Sequence, residues 1–140
     1  RDTNKNLPGV YVIKGRVGAI VGALDVIDGT YATLFSDFDV DVDITTDGQR
    51  IGGVVGDVVI YDTYDKDFQI QNVTSKLTIN NTNTVSDYVG ALAGLITNYS
   101  AKSLTINDIT TSGDIYGRDY IGGTIGRLES ESAGSVNVNE

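Results

Sequence analysis

Ile51-Gly-Gly-Val-Val-Gly-Asp-Val58 decides how this 140-residue chain reads, because the same eight-residue phrase occurs four times. The other copies are Val17-Gly-Ala-Ile-Val-Gly-Ala-Leu24, Val89-Gly-Ala-Leu-Ala-Gly-Leu-Ile96 and Ile121-Gly-Gly-Thr-Ile-Gly-Arg-Leu128. Their starts lie 34, 38 and 32 residues apart. Self-similarity at a period of tens of residues marks a stacked architecture, in which each unit buries its apolar face only against its neighbours. Glycine holds the second and sixth places of every copy, at Gly18/Gly22, Gly52/Gly56, Gly90/Gly94 and Gly122/Gly126. A G-x-x-x-G spacing also occurs in paired transmembrane helices. This run is far shorter than the ~20 residues a bilayer requires, and Val, Ile and Gly are poor helix formers. The phrase is expected to be a strand buried on both sides. Its glycines then leave room for another backbone or a large side chain to come close.

After each phrase the period changes to alternation. Phe38, Val40, Val42 and Ile44 alternate with Asp39, Asp41 and Asp43. Leu77 and Ile79, Leu104 and Ile106, and Val136 and Val138 alternate with polar residues in the same way, as half-buried strands do. Polar turns close the unit. Asp43-Ile-Thr-Thr-Asp-Gly48 and Asp108-Ile-Thr-Thr-Ser-Gly113 are nearly the same words, each ending on glycine as a positive-φ turn prefers. Tyr88 and Tyr120 stand just before two phrases, placed to pack on the glycine face. No stretch shows a capped 3.6-residue period.

These features predict an all-β chain, a parallel β-helix-like β-solenoid of about four glycine-rich repeats of 32–38 residues, with loops at some corners. Residues 1–140 form a single repeat domain, with units starting near 17, 51, 89 and 121 and an incomplete unit at each end. Val10-Tyr-Val-Ile-Lys-Gly15 corresponds to Asp114-Ile-Tyr-Gly-Arg118, so the chain opens on the last strand of a unit. The structural rival is an antiparallel sandwich of hairpins. Neither end carries an obvious polar cap against strand-edge association. That leaves a segment of a longer array, or protomers that complete each other head to tail.

Composition bounds the chemistry. A formal net charge of −9 and pI near 4.2 set the chain against nucleic acid and anionic membranes. Cys, His, Met and Trp are absent, which excludes disulfides, thiolate and imidazole metal sites, and Ser-His or Cys-His couples. The glycine phrases are not nucleotide loops, since no Lys-Ser/Thr and no helix follows them. Seventeen glycines with abundant Thr, Asn and Asp and few lysines fit secreted repeat proteins.

The phrases resemble the glycine-leucine-glycine (GLUG) repeat family, whose signature is a tandem V-G-G-L-V-G-like strand. The resemblance covers the four phrases and, through the spacers, most of Val10 to Glu140. Ala19 and Ala91 replace the second glycine of the pair, and Thr124 stands where Leu is usual. Such repeats occur in large bacterial surface proteins, including filamentous haemagglutinin-like adhesins and non-catalytic regions of IgA-specific metallopeptidases. The resemblance implies an extracellular stalk with an adhesive or spacing role, facing a protein or glycan on a host or neighbouring cell, and no catalysis.

Asp37, Asp39, Asp41, Asp43 and Asp47 are the sharpest local feature. Three of these carboxylates project from one face of a strand and repel one another unless a cation or basic neighbour screens them. Ca²⁺ favours such oxygens, but Ile44 and Arg50 break the EF-hand pattern, and the acids are read as a solvated face. That reading aligns them with Gln69 and Gln71, Thr105 and Asn107, and Asn137 and Asn139. By fold analogy with polysaccharide-cleaving β-helices, Asp39, Asp41 and Arg50 are the enzymatic alternative. Lys102 and Ser103 point to opposite faces of a strand and make no couple. Asn72-Val-Thr, Asn80-Asn-Thr and Asn98-Tyr-Ser are glycosylation sequons expected by chance. Tyr61, Tyr64 and Tyr99 are expected at the surface. The chain is read as non-enzymatic, with no catalytic, cofactor or metal residues assigned.

Overall fold

The computed structural model describes residues 10–12, 15–29, 32–82 and 87–139. A short strand, β1 (Val10–Val12), precedes the first coil. Coil one is β2 (Arg16–Gly18), β3 (Val21–Val26) and β4 (Thr33–Thr46). Coil two is β5 (Arg50–Gly52), β6 (Val55–Ile60) and β7 (Phe68–Asn81). Coil three is β8 (Tyr88–Gly90), β9 (Ala93–Asn98), β10 (Leu104–Ser112) and β11 (Ile115–Tyr116). The last coil holds β12 (Tyr120–Gly122), β13 (Ile125–Ser130) and β14 (Val136–Val138).

Every pairing among these strands is parallel, which excludes the sandwich. A broad sheet runs β1-β4-β7-β10-β14, with β11 also on β7. The first arm runs β2-β5-β8-β12 and the second β3-β6-β9-β13. The result is a β-solenoid of about three turns, and Gly18, Gly52, Gly90 and Gly122 stand in one column. β1 pairs in parallel with Ile44–Thr46 of β4.

The phrase corrects the expectation of one continuous strand. Each copy is two strands meeting at a tight two-residue corner, Gly53-Val54 in coil two. At this corner the amides of Val54 and Val55 both donate to the Leu92 carbonyl of the next coil. The glycines are there because the two arms touch backbone to backbone. A Cβ on Gly52 would lie 1.9 Å from the Val55 carbonyl oxygen, and one on Gly56 would lie 2.6 Å from the Val17 nitrogen. Tyr88 and Tyr120 therefore do not cover the glycine face, which is already occupied by main chain.

The corner drives inward as a wedge and divides the core. Ser75, fully buried in the middle of β7, donates its hydroxyl to the Ala91 carbonyl at the corner of coil three. On one side, Val55, Val58, Ile60, Leu92, Ala93 and Ile96 pack against Phe68, Ile70, Val73, Leu104 and Ile106. On the other, Val17, Ile51 and Val89 pack against Ile44, Leu77 and Ile79. Burying each such side chain contributes roughly 1.5–3 kcal/mol, so the two apolar lobes hold the coils together.

The broad sheet bends at a column of left-handed residues, Asp37, Asn72 and Asp108, with φ of 65°, 53° and 55°. Asn and Asp tolerate this conformation better than other non-glycine residues. One such residue resets the alternation, so Phe68 and Ile70 face inward before Asn72, and Val73, Ser75, Leu77 and Ile79 after it. Two expectations about register fall here. Asp43–Gly48 and Asp108–Gly113 are not equivalent turns: Ile44 pairs Ile79 whereas Ile109 pairs Val73. Only Gly113 of that pair has positive φ, at 112°.

Candidate functional site: the notch between the arms

The two arms meet at the glycines and present their outer positions to each other across a notch. Arg16, Arg50, Tyr88 and Tyr120 form one column, each in register with the next. Ala23, Asp57, Leu95 and Arg127 form the facing column. Successive positions in a column are ~4.8 Å apart, the spacing of paired strands.

At the coil-one and coil-two end, Asp57 is buried to 1 % exposure. Its Oδ2 is ion-paired with Arg16 Nε at 2.6 Å and accepts a hydrogen bond from Arg50 Nη1 at 2.5 Å. Its Oδ1 is buried and has no hydrogen-bond partner among the described residues. Gly15, Arg16, Gln49 and Arg50 line a cavity of about 360 Å³ beside this pair. Gly15 turns the chain into it with φ of 102°, and the Gln49 amide fixes that turn by donating to the Gly15 carbonyl at 2.9 Å. At the other end, the rings of Tyr88 and Tyr120 stack at 4.9 Å, and the Arg127 guanidinium lies 5.6 and 5.1 Å from their centroids. Arg127 Nε is also ion-paired with Glu129 Oε1 at 2.6 Å. A second cavity of about 210 Å³, lined by Ala91, Thr111, Ser112, Gly113, Ile115 and Gly123, carries no charged group among those residues.

The acidic stretch lies elsewhere, on the outer face of the broad sheet. Asp39, Asp41 and Asp43 are exposed. Their lateral partners are Thr74, Lys76 and Thr78, not the glutamines and asparagines expected from the sequence. The acids still form no ladder, and Lys76 Nζ approaches Asp41 Oδ2 at 3.5 Å, supplying the basic neighbour. Among the described residues no three acidic side chains gather in a way that could hold a metal ion. Arg50 stands in the notch on Asp57 and does not join Asp39 and Asp41.

Asp37 is fully exposed. The Ser36 hydroxyl and then the Asn72 amide hold its carboxyl below the usual 3.8. Asp67 is held below the usual value by the Ser103 hydroxyl and then the Ser103 backbone amide, tying the corners of coils two and three together. Asp65 is lowered chiefly by Lys66. Asp87, buried, is a structural carboxylate: it accepts from the amides of Arg118 and Asp119 at 3.0 and 2.8 Å and orders the turn into β12.

Tyr64 corrects the expectation of a surface ring, being 1 % exposed. Its hydroxyl accepts from the Thr33 amide at 2.7 Å and its ring meets Phe68 edge-on. Asn98 is likewise buried, its Oδ1 receiving the Ser100 amide. Tyr61 and Tyr99 are exposed, as expected.

The notch escaped sequence reasoning, though one signal was present. Arginine stands immediately before two phrases, and Asp57 is the one acid among the four residues at the seventh place. The chain matches no family model, no curated protein and no solved structure, so the geometry carries the functional argument.

Proposed function

We propose that this chain is a non-enzymatic structural repeat module of an extracellular surface protein of the GLUG type, a rigid rod segment that holds or presents a distal element to a protein or glycan partner. What supports this reading is the unbroken parallel register of the glycine column through four levels. Continuous parallel ladders transmit load along the axis, and each coil is anchored by its neighbours rather than by a separate core. Light scattering on the purified chain tests it. A monomeric particle is expected; turnover of an acidic polysaccharide, abolished by Asp41→Ala, overturns the non-enzymatic reading.

A second reading, a fibre subunit associating head to tail, is favoured by the outermost coils. Ile121 is 44 % exposed where Val89 and Ile51 are at 0 %, and Ile20 is 47 % exposed where Val54 and Leu92 are at 0 %. These are faces a further coil covers, from the same chain or a second copy. Long filaments in negative-stain micrographs of the purified chain select this reading over the stalk.

A further inference from the structure

We infer that the Arg16–Arg50 end of the notch is a binding site for a carboxylate carried on a small hydroxylated body, that is, a sugar acid or the uronate unit of an acidic glycan. This goes beyond the rod and holds whether or not the coils act as a stalk. Two guanidiniums stand one strand spacing apart and share a single oxygen of Asp57. Among the described residues, one acid for two bases leaves the cluster with a net positive charge in a chain whose total is −9. Each guanidinium has five N–H donors, and the ion pairs use one nitrogen of each. The remaining edges are wet, since the side chains of Arg16 and Arg50 are 49 % and 33 % exposed.

Asp57 acts as a positioning residue. Buried and fixed on the second arm, it holds both forks in place without neutralising both. A planar fork matched to a carboxylate bonds it through two parallel N–H donors, which a lysine cannot reproduce. The cavity of about 360 Å³ lies within the range of small-molecule sites. Among the described residues it is lined, besides the two arginines, by Gly15 and by Gln49, whose side-chain amide can both donate to and accept from hydroxyl groups. Charge therefore selects the anion, and the amide together with the cavity size selects a hydroxylated carrier.

The test is a titration of the ¹⁵N-labelled chain with D-glucuronate, D-glucose and sodium sulfate, followed by amide and arginine Nε–H shifts. Glucuronate is expected to move Gly15, Arg16, Gln49 and Arg50 while leaving Ile96 and Leu104 unmoved, and glucose is expected to move none of them. Sulfate that reproduces the shifts at equal concentration overturns the selection of a hydroxylated carrier; sulfate that fails where glucuronate succeeds supports the sugar acid. Arg50→Gln and Arg16→Gln, each leaving Asp57 one arginine, are expected to weaken glucuronate binding at least about tenfold. Arg118→Gln, an exposed arginine outside the notch, leaves it unchanged. Equal shifts with glucose, equal binding by Arg50→Gln and Arg118→Gln, or no shift at tens of millimolar glucuronate overturns the site.

Discussion

Glycine is needed at some places of the phrase and replaceable at others, and the difference is a matter of which atoms stand where a methyl would go. At Gly52 that position lies 1.9 Å from a carbonyl oxygen, whereas at Gly123 nothing lies within 4 Å. Gly52→Ala is therefore expected to cost about 3 kcal/mol or more, since overpacking against backbone cannot relax by a rotamer change. Gly123→Ala should fall within about 0.5 kcal/mol of the parent. Urea midpoints of the two variants check this, and equal midpoints would count against the backbone contact. The third place of the phrase already holds alanine at Ala19 and Ala91. The Asp57 cluster is asymmetric in the same physical sense. Removing the acid by Asp57→Ala frees two partly wet arginines to rehydrate, at about 1–2 kcal/mol. Removing both arginines strands a buried carboxylate, at about 3–5 kcal/mol. A double Arg16→Gln/Arg50→Gln variant that unfolds no earlier than Asp57→Ala would refute the ordering.

The left-handed column is the decisive feature of the broad strands. Asn72 keeps φ of 53° and donates its amide to Asp37 Oδ1 at 2.5 Å. Asn72→Ala loses that bond and leaves at this left-handed position a side chain without the polar group that makes Asn tolerant of it, at roughly 1–2 kcal/mol. Asn72→Gly loses the bond but relieves the conformation, so it should be the milder of the two by thermal unfolding. The alternation of Phe38, Val40, Val42 and Ile44 was readable from the sequence, and these residues do face inward. The phase reset at Asp37, Asn72 and Asp108 was not, because a single αL residue has no periodic signature. The likeness of Asp43–Gly48 to Asp108–Gly113 misleads for that reason. Nearly the same words begin six residues after the reset in coil one and on the reset residue itself in coil three, and backbone conformation rather than residue identity decides the pairing.

Across the whole molecule, stability follows the stacking. Inner levels are covered on both sides, so hydrogen exchange is expected to be slowest at Val58, Ile70, Ile96 and Ile106 and fastest in β13 and β14. Uniform protection along the chain would contradict independent coil-on-coil anchoring. Acid acts through the carboxylates that bridge coils. The carboxyls of Asp37 and Asp67 are lowered in the folded state, so the stabilisation they lend is present above the ordinary value of 3.8 and is lost as pH falls through their folded values. Unfolding followed from pH 6 to 2 should show stability dropping below about 4, and the double variant Asp37→Asn/Asp67→Asn should flatten that drop. An unchanged profile would mean that these bridges carry no pH-dependent stability.

From its residues alone this chain was readable as a stack of glycine-marked units with parallel ladders, because a repeated apolar phrase at a near-constant period can bury itself in few other ways. The inward faces were readable too, since alternation reports directly on which side is dry. The fold of each phrase into two arms, the wedge that divides the core, and the notch that brings Arg16, Arg50 and Asp57 together were decided only in three dimensions. Partners lie 34 residues apart in both arms but 35 apart in the broad sheet between coils one and two, and 38 and 36 between coils two and three. Such slips are absorbed in loops, where sequence period has no hold. The sharing of one buried oxygen by two arginines depends on the closeness of two backbones, which periodicity does not encode.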